Sequence, residues 1–401
     1  MISEELKNSF AKELSDNLNN NILPYWLDNM TDPAGGYYGR RDGYDTLHPE
    51  AQRGAILNAR ILWTFSAAYI STGRQDCLDA ATRAKDYILA HFIDKTNGGV
   101  YWSLDADGSV ADSKKQFYAI AFTVYGLAEY NRATGDEEAL STAIALFRAI
   151  ETHSRDRAKG GYREAATADW QPIEDMRLSD KDANFSKTMN THLHILEAYT
   201  ALLRVWRTEE SVEATKYALE IILDRITDAK TGHLGLFFDD EWVRQDAEQS
   251  FGHDIEASWL MLEAAEVIGK PELYTRTLAA TRRMADAALE GLCADGSMVY
   301  ERHGNGAYDN EKHWWVQAEA VVGQAYLARY HGVAKGWDGA WKTWGYIRNY
   351  LVDVNEGEWY WSRLADGSVN RAEDKAGFWK CPYHNGRMCM ETLRLLSAEA
   401  L

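Results

Sequence analysis

Basic residues are scarce in this sequence: 43 Lys and Arg face 61 Asp and Glu, which gives a formal net charge of −18 over 401 residues. Nucleic-acid-binding proteins neutralise phosphates with basic surface, and no basic stripe occurs here. Anionic membrane surfaces are disfavoured for the same reason. We therefore expect no nucleic-acid partner and no membrane partner, and a neutral or cationic small molecule as the ligand.

Long apolar runs and clustered cysteines are also missing. No run approaches the ~18 apolar residues of a membrane span, and the charged start MISEELKNSFAKELSDNLNN lacks the apolar core of a signal peptide. The cysteines, Cys77, Cys293, Cys381 and Cys389, include no C-x-x-C pair, which is typical of free thiols in a reducing cytoplasm. We expect a cytoplasmic protein, and the acidic composition favours a monomer.

Common cofactor and hydrolase motifs are absent as well. The sequence contains no G-x-G-x-x-G after a strand, no G-x-x-x-x-G-K-[ST], no H-E-x-x-H and no G-x-S-x-G. A nucleotide cofactor, zinc-peptidase chemistry and a serine-hydrolase nucleophile therefore lack support.

Glycine-marked segments recur along the chain at intervals of roughly 60 to 70 residues, the length of a helical hairpin with its loop. Each segment mixes glycine and aspartate with alternating aromatics, which predicts a short β-hairpin. The segments are centred near Gly35, Gly98, Gly160, Gly232, Gly296 and Gly357.

Two helical patterns usually fill each interval. One is apolar on every side, as in residues 53–70, 117–130 and 313–330, and the other has a charged face, as in residues 75–93 and 211–226. A helix that is apolar all round is buried, whereas an amphipathic helix faces water. Six helices of each kind predict an all-α fold, an (α/α)6 barrel with short β-hairpins in the connecting loops.

A single barrel domain, residues 1–401, is expected because no linker or low-complexity stretch interrupts the pattern. Polar residues at the starts of the inner helices then line a central pocket, and a charged residue inside an apolar helix must be paired or face that pocket. Arg60 is such a residue. It either pairs with a buried carboxylate or stabilises an oxygen that becomes negative during a reaction.

The helix start MNTHLHILEAY, residues 189–199, carries His192 and His194, with Asn190 or Thr191 as a candidate cap. Two histidines suggest a metal site, but residues two apart on a helix point about 200° apart and cannot easily share one ion. We expect one histidine to face the pocket and the other to pack outward, without a metal.

The stretch SFGHDIEASW, residues 250–259, places His253 and Glu256 on one helix face. Ser250 is a plausible cap with Asp254 in the first turn, so helix-start chemistry accounts for part of the pattern. The residues alone leave open both a buried core histidine and a functional His–Glu pair.

Aromatic residues stand beside polar ones in KHWWVQAEA (312–320) and in GFWKCPYHNGR (377–387). Either cluster alone is more typical of a core, yet aromatic faces beside hydrogen-bonding groups also bind sugars. The 15 tryptophans of the chain favour a carbohydrate site. The residues concerned are Trp314, Trp315, Gln317, Glu319, Trp379, Tyr383 and His384.

Three functions of a sugar-holding barrel remain open at this point. An inverting glycosidase needs two carboxylates, for which Glu256 with Glu319 or Asp182 are candidates. Proton transfer beside an aldose carbonyl needs a base of near-neutral pKa on each face and a cation for the enediolate oxygen. The histidine-rich set favours proton transfer, with a non-catalytic sugar-binding barrel as the third possibility. The candidates for proton transfer are His253, His384 and Arg60.

Five stretches in chain order resemble cellobiose 2-epimerases of the N-acylglucosamine 2-epimerase superfamily, and together they span nearly the whole chain. The resemblance implies an (α/α)6 barrel that interconverts glucose and mannose at the reducing end of β-1,4-linked disaccharides such as cellobiose, lactose or mannobiose, without a cofactor. A monosaccharide 2-epimerase or an aldose–ketose isomerase on the same scaffold is the nearest alternative. The stretches are HPEAQRGAILNARILWTF (48–65), KTMNTHLH (187–194), SFGHDIEASWL (250–260), HWWVQAEA (313–320) and GFWKCPYHNGR (377–387).

The resemblance also implies roles for individual residues. His253 and His384 are expected as acid/base residues on opposite faces of C2, and Arg60 as the contact of the reacting oxygens. His194 and Glu256 are expected to support ring opening and to orient the general-base histidine. The implied sugar-contacting positions are Asn190, Tyr118, Asp182, Trp315, Trp379 and Glu319.

The loop KDANFSKTMN, residues 181–190, departs from the family, in which prolines follow the aspartate. Because this loop is expected to border the site, the resemblance does not extend to the preferred sugar.

Overall fold

The computed structural model describes residues 2–179 and 182–398. A π-helical turn, Leu18–Ile22, joins the first two helices. The α-helices of the described ranges are α1 (Glu4–Asn17), α2 (Leu23–Asn29), α3 (Ala55–Thr72), α4 (Gln75–Tyr87), α5 (Phe117–Thr134), α6 (Glu137–Ala149), α7 (Met189–Val205), α8 (Glu209–Ile221), α9 (Phe251–Ile268), α10 (Pro271–Ala288), α11 (Trp314–Tyr330), α12 (Gly336–Tyr346) and α13 (Tyr383–Ser397).

The helices form two concentric rings. In the inner ring α3, α5, α7, α9, α11 and α13 each pack on the next, and α13 packs on α3 to close the circle. The helices α4, α6, α8, α10 and α12 each pack on the inner helix that precedes them, and α1 packs on α13. The predicted (α/α)6 barrel is confirmed, and its inner helices are buried on every side: α3 buries each residue from Ala55 to Ala68.

Small residues let the inner helices approach closely. A Cβ atom added at Gly126 of α5 would lie 2.7 Å from the carbonyl oxygen of Ala59 in α3, and one at Gly323 of α11 would meet the side chain of Ile255 in α9. Larger residues at these positions would push apart helices that carry polar side chains into the centre of the ring.

Short strands sit at one end of the barrel, and five of them, β1, β4, β6, β8 and β11, lead directly into an inner helix. The antiparallel sheets follow the orders β1-β2-β3, β4-β5, β6-β7, β10-β9-β8 and β11-β12. The strands are β1 (Arg53–Gly54), β2 (Ser103–Leu104), β3 (Val110–Asp112), β4 (Lys115–Gln116), β5 (Ala165–Ala166), β6 (Lys187–Thr188), β7 (Phe237–Phe238), β8 (Gln249–Ser250), β9 (Glu301–Arg302), β10 (Tyr308–Asp309), β11 (Lys312–His313) and β12 (Ser362–Arg363).

Each glycine-marked segment turns back on itself, as predicted. Glycine is required because its left-handed backbone closes the turn, with φ of +80° at Gly98 and +81° at Gly160. The antiparallel bridges across the six segments are Thr31 with Tyr37, Ile93 with Val100, Arg155 with Tyr162, Thr227 with Leu234, Leu292 with Met298 and Val352 with Trp359.

A buried aspartate ties several of these turns to the start of the next inner helix. Asp94 accepts hydrogen bonds from the backbone N–H groups of Thr96 and Asn97 and pairs with Lys115 at 2.7 Å. Lys115 lies in β4, directly before α5. This repeated ion pair holds the entrances of the inner helices in register. Equivalent pairs are Arg53 with Asp32 and Lys187 with Asp156. The pair of Lys375 with Asp353 ties the last of these turns to the loop that leads to α13.

Residues 2–179 and 182–398 include no helix with both the length and the apolar character that crossing a membrane requires. All four cysteines are free thiols, and three of them are buried. The assignment of residues 1–401 to one domain stays a prediction.

Candidate active site

A cavity of about 460 Å³ opens at the end of the barrel where the inner helices begin. Every residue to which the family resemblance gave a role in the site lines this cavity, except Glu319. The lining residues from that set are Arg60, Tyr118, Asp182, Asn190, His194, His253, Glu256, Trp315, Trp379 and His384. Of the other residues in the two aromatic clusters, Trp314 also lines the cavity, whereas Gln317 and Tyr383 do not.

His384 lies in the first turn of α13 and is held by a buried carboxylate. Its Nδ1 lies 2.7 Å from Oε1 of Glu319, and its ring packs against the rings of Trp314 and Trp315. Burial lowers the pKa of His384 to about 3, although the hydrogen bond to Glu319 acts in the opposite direction. The imidazole is therefore neutral, and because Nδ1–H donates to Glu319, Nε2 carries the free lone pair.

His253 in α9 is the second neutral imidazole of the cavity. Its Nδ1 lies 2.8 Å from the hydroxyl of Ser250, and its ring centroid lies 4.8 Å from that of Trp315. Burial, followed by the nearby His194 and His384, lowers the pKa of His253 to about 3. Ser250 occupies the N-cap position of α9, as predicted, but its hydroxyl bonds to His253 and makes no capping hydrogen bond to a backbone N–H.

The two histidines of α7 face different surroundings, as predicted. His194 lines the cavity with Nδ1 2.8 Å from Oε2 of Glu197, and burial lowers the pKa of its imidazole. The Nδ1 of His192 donates to the carbonyl of Thr188 at 2.6 Å, and its Nε2 accepts the N–H of Tyr162 at 2.9 Å. His192 therefore has no lone pair available to a ligand.

Asn190 lies in the first turn of α7 beside the cavity. The prediction that Asn190 or Thr191 caps this helix is wrong, because the hydroxyl of Thr188 accepts the N–H of Thr191 at 3.2 Å. The carboxamide oxygen of Asn190 is buried and accepts no hydrogen bond from the described part of the chain. An unsatisfied buried acceptor in a cavity wall suits a ligand hydroxyl.

Arg60 crosses the floor of the cavity among aromatic rings. Its Nη2 donates to the hydroxyl of Tyr118 at 2.8 Å, and its guanidinium carbon lies 4.2 Å from the ring centre of Phe122 and 5.0 Å from that of Tyr383. Within residues 2–179 and 182–398 it makes no ion pair with a carboxylate. The geometry favours the second interpretation of Arg60, a cation available to a reacting oxygen.

Glu256 and Glu319 are two buried carboxyl groups that share one cation. The Nη2 atom of Arg387 lies 2.6 Å from Oε1 of each. Burial and then Glu319 raise the pKa of Glu256 to about 8, while Arg387 and His384 hold the pKa of Glu319 below its usual value against the effect of burial. The opposite directions of the two pKa shifts favour the protonated form at Glu256 and the ionised form at Glu319.

Glu319 lies behind the cavity wall rather than in it. Its side chain is fully buried and accepts hydrogen bonds from His384, Arg387 and the indole N–H of Trp259, the last at 3.0 Å. All of its oxygens are occupied by protein partners. Glu319 therefore lies beside His384 and not at the sugar-contacting surface that was expected for it.

Sequence reasoning missed the centre of this network. Arg387 also donates to Glu197 and to the hydroxyl of Tyr383, which in turn donates to Glu197. Arg387 precedes the apolar stretch Met388–Met390, and Glu197 lies within an apolar run of α7. The signal that selected Arg60, a charge in an apolar stretch of helix, would have found Glu197 but not Arg387, because α13 also carries Glu391 and Arg394.

A metal interpretation of the same cluster fits poorly. Ligand atoms of Glu256, Glu319 and His384 lie within 4.8 Å of one another, a spacing that could hold an ion. However, Nη2 of Arg387 lies at hydrogen-bond distance from both carboxylates, so a cation already stands between them. A divalent ion would have to displace a buried guanidinium that holds a third carboxylate, Glu197.

Aromatic side chains and one loop form the outer wall. The ring of Trp379 lies 6.3 Å from that of Tyr118, and the rings of Tyr300 and Trp361 also line the cavity. Asp182 belongs to the loop whose sequence differs from the family. It accepts hydrogen bonds from the N–H and the hydroxyl of Ser179, which hold Asp182 at the cavity rim. Flat rings beside fixed polar groups are a suitable surface for a sugar.

The family model of N-acylglucosamine 2-epimerase (GlcNAc 2-epimerase) matches residues 36–386. The chain belongs to this family. The cellobiose 2-epimerase of Bacteroides fragilis is 52% identical over 394 residues, 98% of this chain and 100% of that protein. The cellobiose 2-epimerase of Ruminococcus albus is 39% identical and covers 95% of this chain and 97% of its own length.

The solved structure of the cellobiose 2-epimerase from Bacillus thermoamylovorans superposes with a TM-score of 0.92 at 37% identity, and the match covers 96% of this chain and 99% of that one. The family resemblance carried by the five sequence stretches is thus confirmed. As a member of the N-acylglucosamine 2-epimerase family, the protein is a carbohydrate epimerase.

Proposed function

We propose that this carbohydrate epimerase inverts C2 of the reducing-end sugar of β-1,4-linked disaccharides and so interconverts glucose and mannose. The relatives named cellobiose 2-epimerase supply the substrate class. The observation that carries the proposal is the pair of neutral imidazoles, His253 and His384, which both contact Trp315 in one cavity. Each offers a base to one face of the same carbon, as proton transfer on both faces needs. Burial lowers the pKa of each below the near-neutral value expected from the sequence, so that both stay unprotonated at neutral pH.

The first step is ring opening, which requires an acid at the ring oxygen and a base at the anomeric hydroxyl. Glu256, whose pKa burial raises to about 8, is the acid. His194 is the base candidate, because its Nδ1 is bonded to Glu197 and its ring lines the cavity. The open chain exposes the aldehyde carbonyl next to C2.

The second step moves the C2 proton. One histidine accepts it through Nε2, and the electron pair passes to the carbonyl oxygen to give an enediolate. Arg60 stabilises that negative oxygen, since it lies in an aromatic environment where a cation interacts strongly. Rotation about C2–C3 then turns the other face towards the second histidine, which returns a proton and inverts the centre.

The cavity supports a disaccharide rather than a free monosaccharide as the preferred substrate. Its volume of about 460 Å³ exceeds what one hexose needs. The rings of Trp315 and Trp379 offer stacking surfaces, and Asn190 offers an acceptor. We assign the deep part of the cavity to the reacting sugar and the aromatic rim to its β-1,4-linked neighbour.

An inverting glycosidase fits the same residues less well. Such enzymes place two carboxyl groups about 6.5 to 9.5 Å apart across the scissile bond. Glu256 and Glu319 hold the same nitrogen of Arg387, and their ligand oxygens lie within 4.8 Å. Glu319 is also fully buried behind His384 and cannot activate a water molecule at the sugar.

The test is incubation with cellobiose in D2O, followed by NMR of C2. We expect deuterium at C2 together with a mannose-type reducing end. A ketose product would indicate the aldose–ketose isomerase, and free glucose would indicate the hydrolase. An unchanged sugar would indicate a non-catalytic sugar-binding protein. A reaction rate that is higher with free mannose or glucose than with cellobiose would favour the monosaccharide epimerase.

Two further expectations belong to this proposal. We expect the enzyme to act as a monomer, which the formal net charge of −18 supports, and to act in the cytoplasm, which the free thiols support. We also expect the oligosaccharide to be its only reaction partner, without a cofactor. Ultracentrifugation during turnover tests the first point, and exhaustive dialysis followed by assay tests the second.

A further inference from the structure

Arg387 separates two cavities. A second cavity of about 550 Å³, which we call the rear cavity, lies at the opposite ends of the inner helices. Arg387 and Glu197 line the rear cavity, whereas their partners Glu256 and His194 line the catalytic cavity. The guanidinium therefore contacts the candidate acid from the side that the substrate does not occupy.

The charges around Arg387 balance only if the neighbouring carboxyl groups together hold one proton. Three carboxyl groups, Glu197, Glu256 and Glu319, contact its guanidinium, and all three are buried. If all were ionised, the cluster would carry an uncompensated negative charge in a low-dielectric interior. One proton on the cluster, together with the positive charges of Arg387 and Arg60, makes the site neutral.

The position of the proton follows from the hydrogen bonds. Glu197 accepts from Arg387, Tyr383 and His194, and Glu319 accepts from Arg387, His384 and Trp259. Glu256 accepts only one such bond among the described residues, from Arg387. A carboxyl with few donors is the one that keeps its proton.

On the basis of the function proposed above, we propose that Arg387 is a positioning residue. From the rear cavity it keeps Glu197 and Glu319 ionised, so that these orient His194 and His384, and it leaves the single proton of the cluster on Glu256 for ring opening. Arg387 itself does not touch the sugar. The titratable and charged groups that face this cluster are Arg60, Tyr118, Tyr125, His194, Glu197, His253, Glu319, Tyr383 and His384.

The rear cavity makes this role testable by chemical rescue. In Arg387→Ala the missing guanidinium leaves a gap that opens to the rear cavity. We expect kcat to fall by at least about 100-fold, and added guanidinium ion to restore it by about tenfold or more without changing KM for cellobiose. In Arg60→Ala the gap opens to the catalytic cavity, so added guanidinium should compete with the sugar and raise KM.

A second readout separates positioning from structural support. Without the cation, the pKa of the Glu319 carboxyl rises towards neutrality, and His384 loses its ionised partner as the pH falls. The acidic limb of the kcat/KM profile should therefore move up by about one pH unit or more in Arg387→Ala. The matched control is Arg204→Ala, which removes an arginine of the rear cavity that pairs with Glu263 at 2.8 Å. It should keep kcat within about twofold.

The proposal is overturned if folded Arg387→Ala keeps normal turnover, or if it loses turnover with an unshifted profile and no rescue. Should the variant not fold, infrared spectroscopy of the wild-type enzyme decides: a protonated carboxyl band at pH 7 that disappears in Glu256→Gln supports the proposal, and its absence overturns it. The infrared test needs no substrate. It therefore stands apart from the D2O experiment, whose failure would overturn the proposed function instead.

Discussion

Nδ1 of His384 lies 2.7 Å from Oε1 of Glu319, so a buried carboxylate fixes which ring nitrogen of this histidine is free. Glu319→Gln removes the charge and lets the imidazole turn or change tautomer. We expect kcat to fall by about 10²-fold or more, as when a carboxylate is removed from a catalytic histidine elsewhere. The KM for cellobiose should change little, because Glu319 does not line the cavity.

The corresponding change at the other histidine is Ser250→Ala, which removes a neutral hydroxyl partner 2.8 Å from Nδ1 of His253. We expect a smaller loss, about tenfold, because neutral hydrogen bonds are weaker than charge-assisted ones. Steady-state kinetics of both variants checks the order. A loss of kcat in Ser250→Ala that exceeds the loss in Glu319→Gln would contradict the role of the Glu319 carboxylate in holding His384.

Arg60→Lys keeps the positive charge but not the planar group that lies between Phe122 and Tyr383. We expect a loss of about 10²-fold or more in kcat, the scale of removing one preorganised stabiliser of a developing charge. Thermal unfolding of the variant serves as the control for folding. Turnover close to wild type in the lysine variant would make Arg60 a structural residue.

The pH dependence of kcat/KM follows from the carboxyl group of Glu256 and from the two histidines, His253 and His384. Since burial raises the pKa of Glu256 to about 8, the acid is protonated below that pH, and kcat/KM should fall as the pH rises through about 8. The histidines, with pKa values lowered to about 3, stay neutral down to mildly acidic pH. Glu256→Gln should lose the alkaline limb. An alkaline limb that survives unchanged in this variant would assign it to another group.

Chelation tests the metal-free mechanism. The carboxylates of Glu256 and Glu319 already bind Arg387, so we expect full activity after exhaustive treatment with EDTA and dialysis. The measurement is turnover of cellobiose before and after treatment, with metal content determined in parallel. A reproducible loss of turnover that zinc or manganese restores would show that a metal ion, and not Arg387, binds the carboxylates of Glu256 and Glu319.

Much of this architecture could be predicted from the sequence because its signals are local. The inner helix α3 can be predicted because apolar residues dominate it on every side. The turn at Gly98 can be predicted because its left-handed backbone favours glycine. The shared helix face of His253 and Glu256 can also be predicted, because residues three apart on a helix are neighbours.

The network behind the cavity could not be predicted in this way. Arg387 meets Glu256 and Glu319 across 131 and 68 residues of sequence, and such pairings depend on how the ring of helices closes. The hydrogen-bond partner of Ser250 and the capping residue of α7 could not be predicted for a similar reason. A hydroxyl at a helix start can bond either to the backbone or to a functional side chain, and only the fold decides.

The division of labour between His253 and His384 is the central claim of the mechanism. If each serves one face of C2, His253→Asn and His384→Asn should both abolish epimerisation. Each variant keeps one base, which can still remove the C2 proton from the epimer that presents it on that face and return deuterium from the solvent. A disaccharide analogue that is already open-chain and keeps its aldehyde controls for any part that the histidines play in ring opening.

The direct measurement is therefore deuterium incorporation at C2, followed by NMR in D2O, for both variants with glucose-ended and mannose-ended disaccharides. We predict exchange without epimerisation, with the glucose-ended sugar for one variant and the mannose-ended sugar for the other. Epimerisation at near wild-type rate by either single variant would contradict the account, because one base would then be serving both faces.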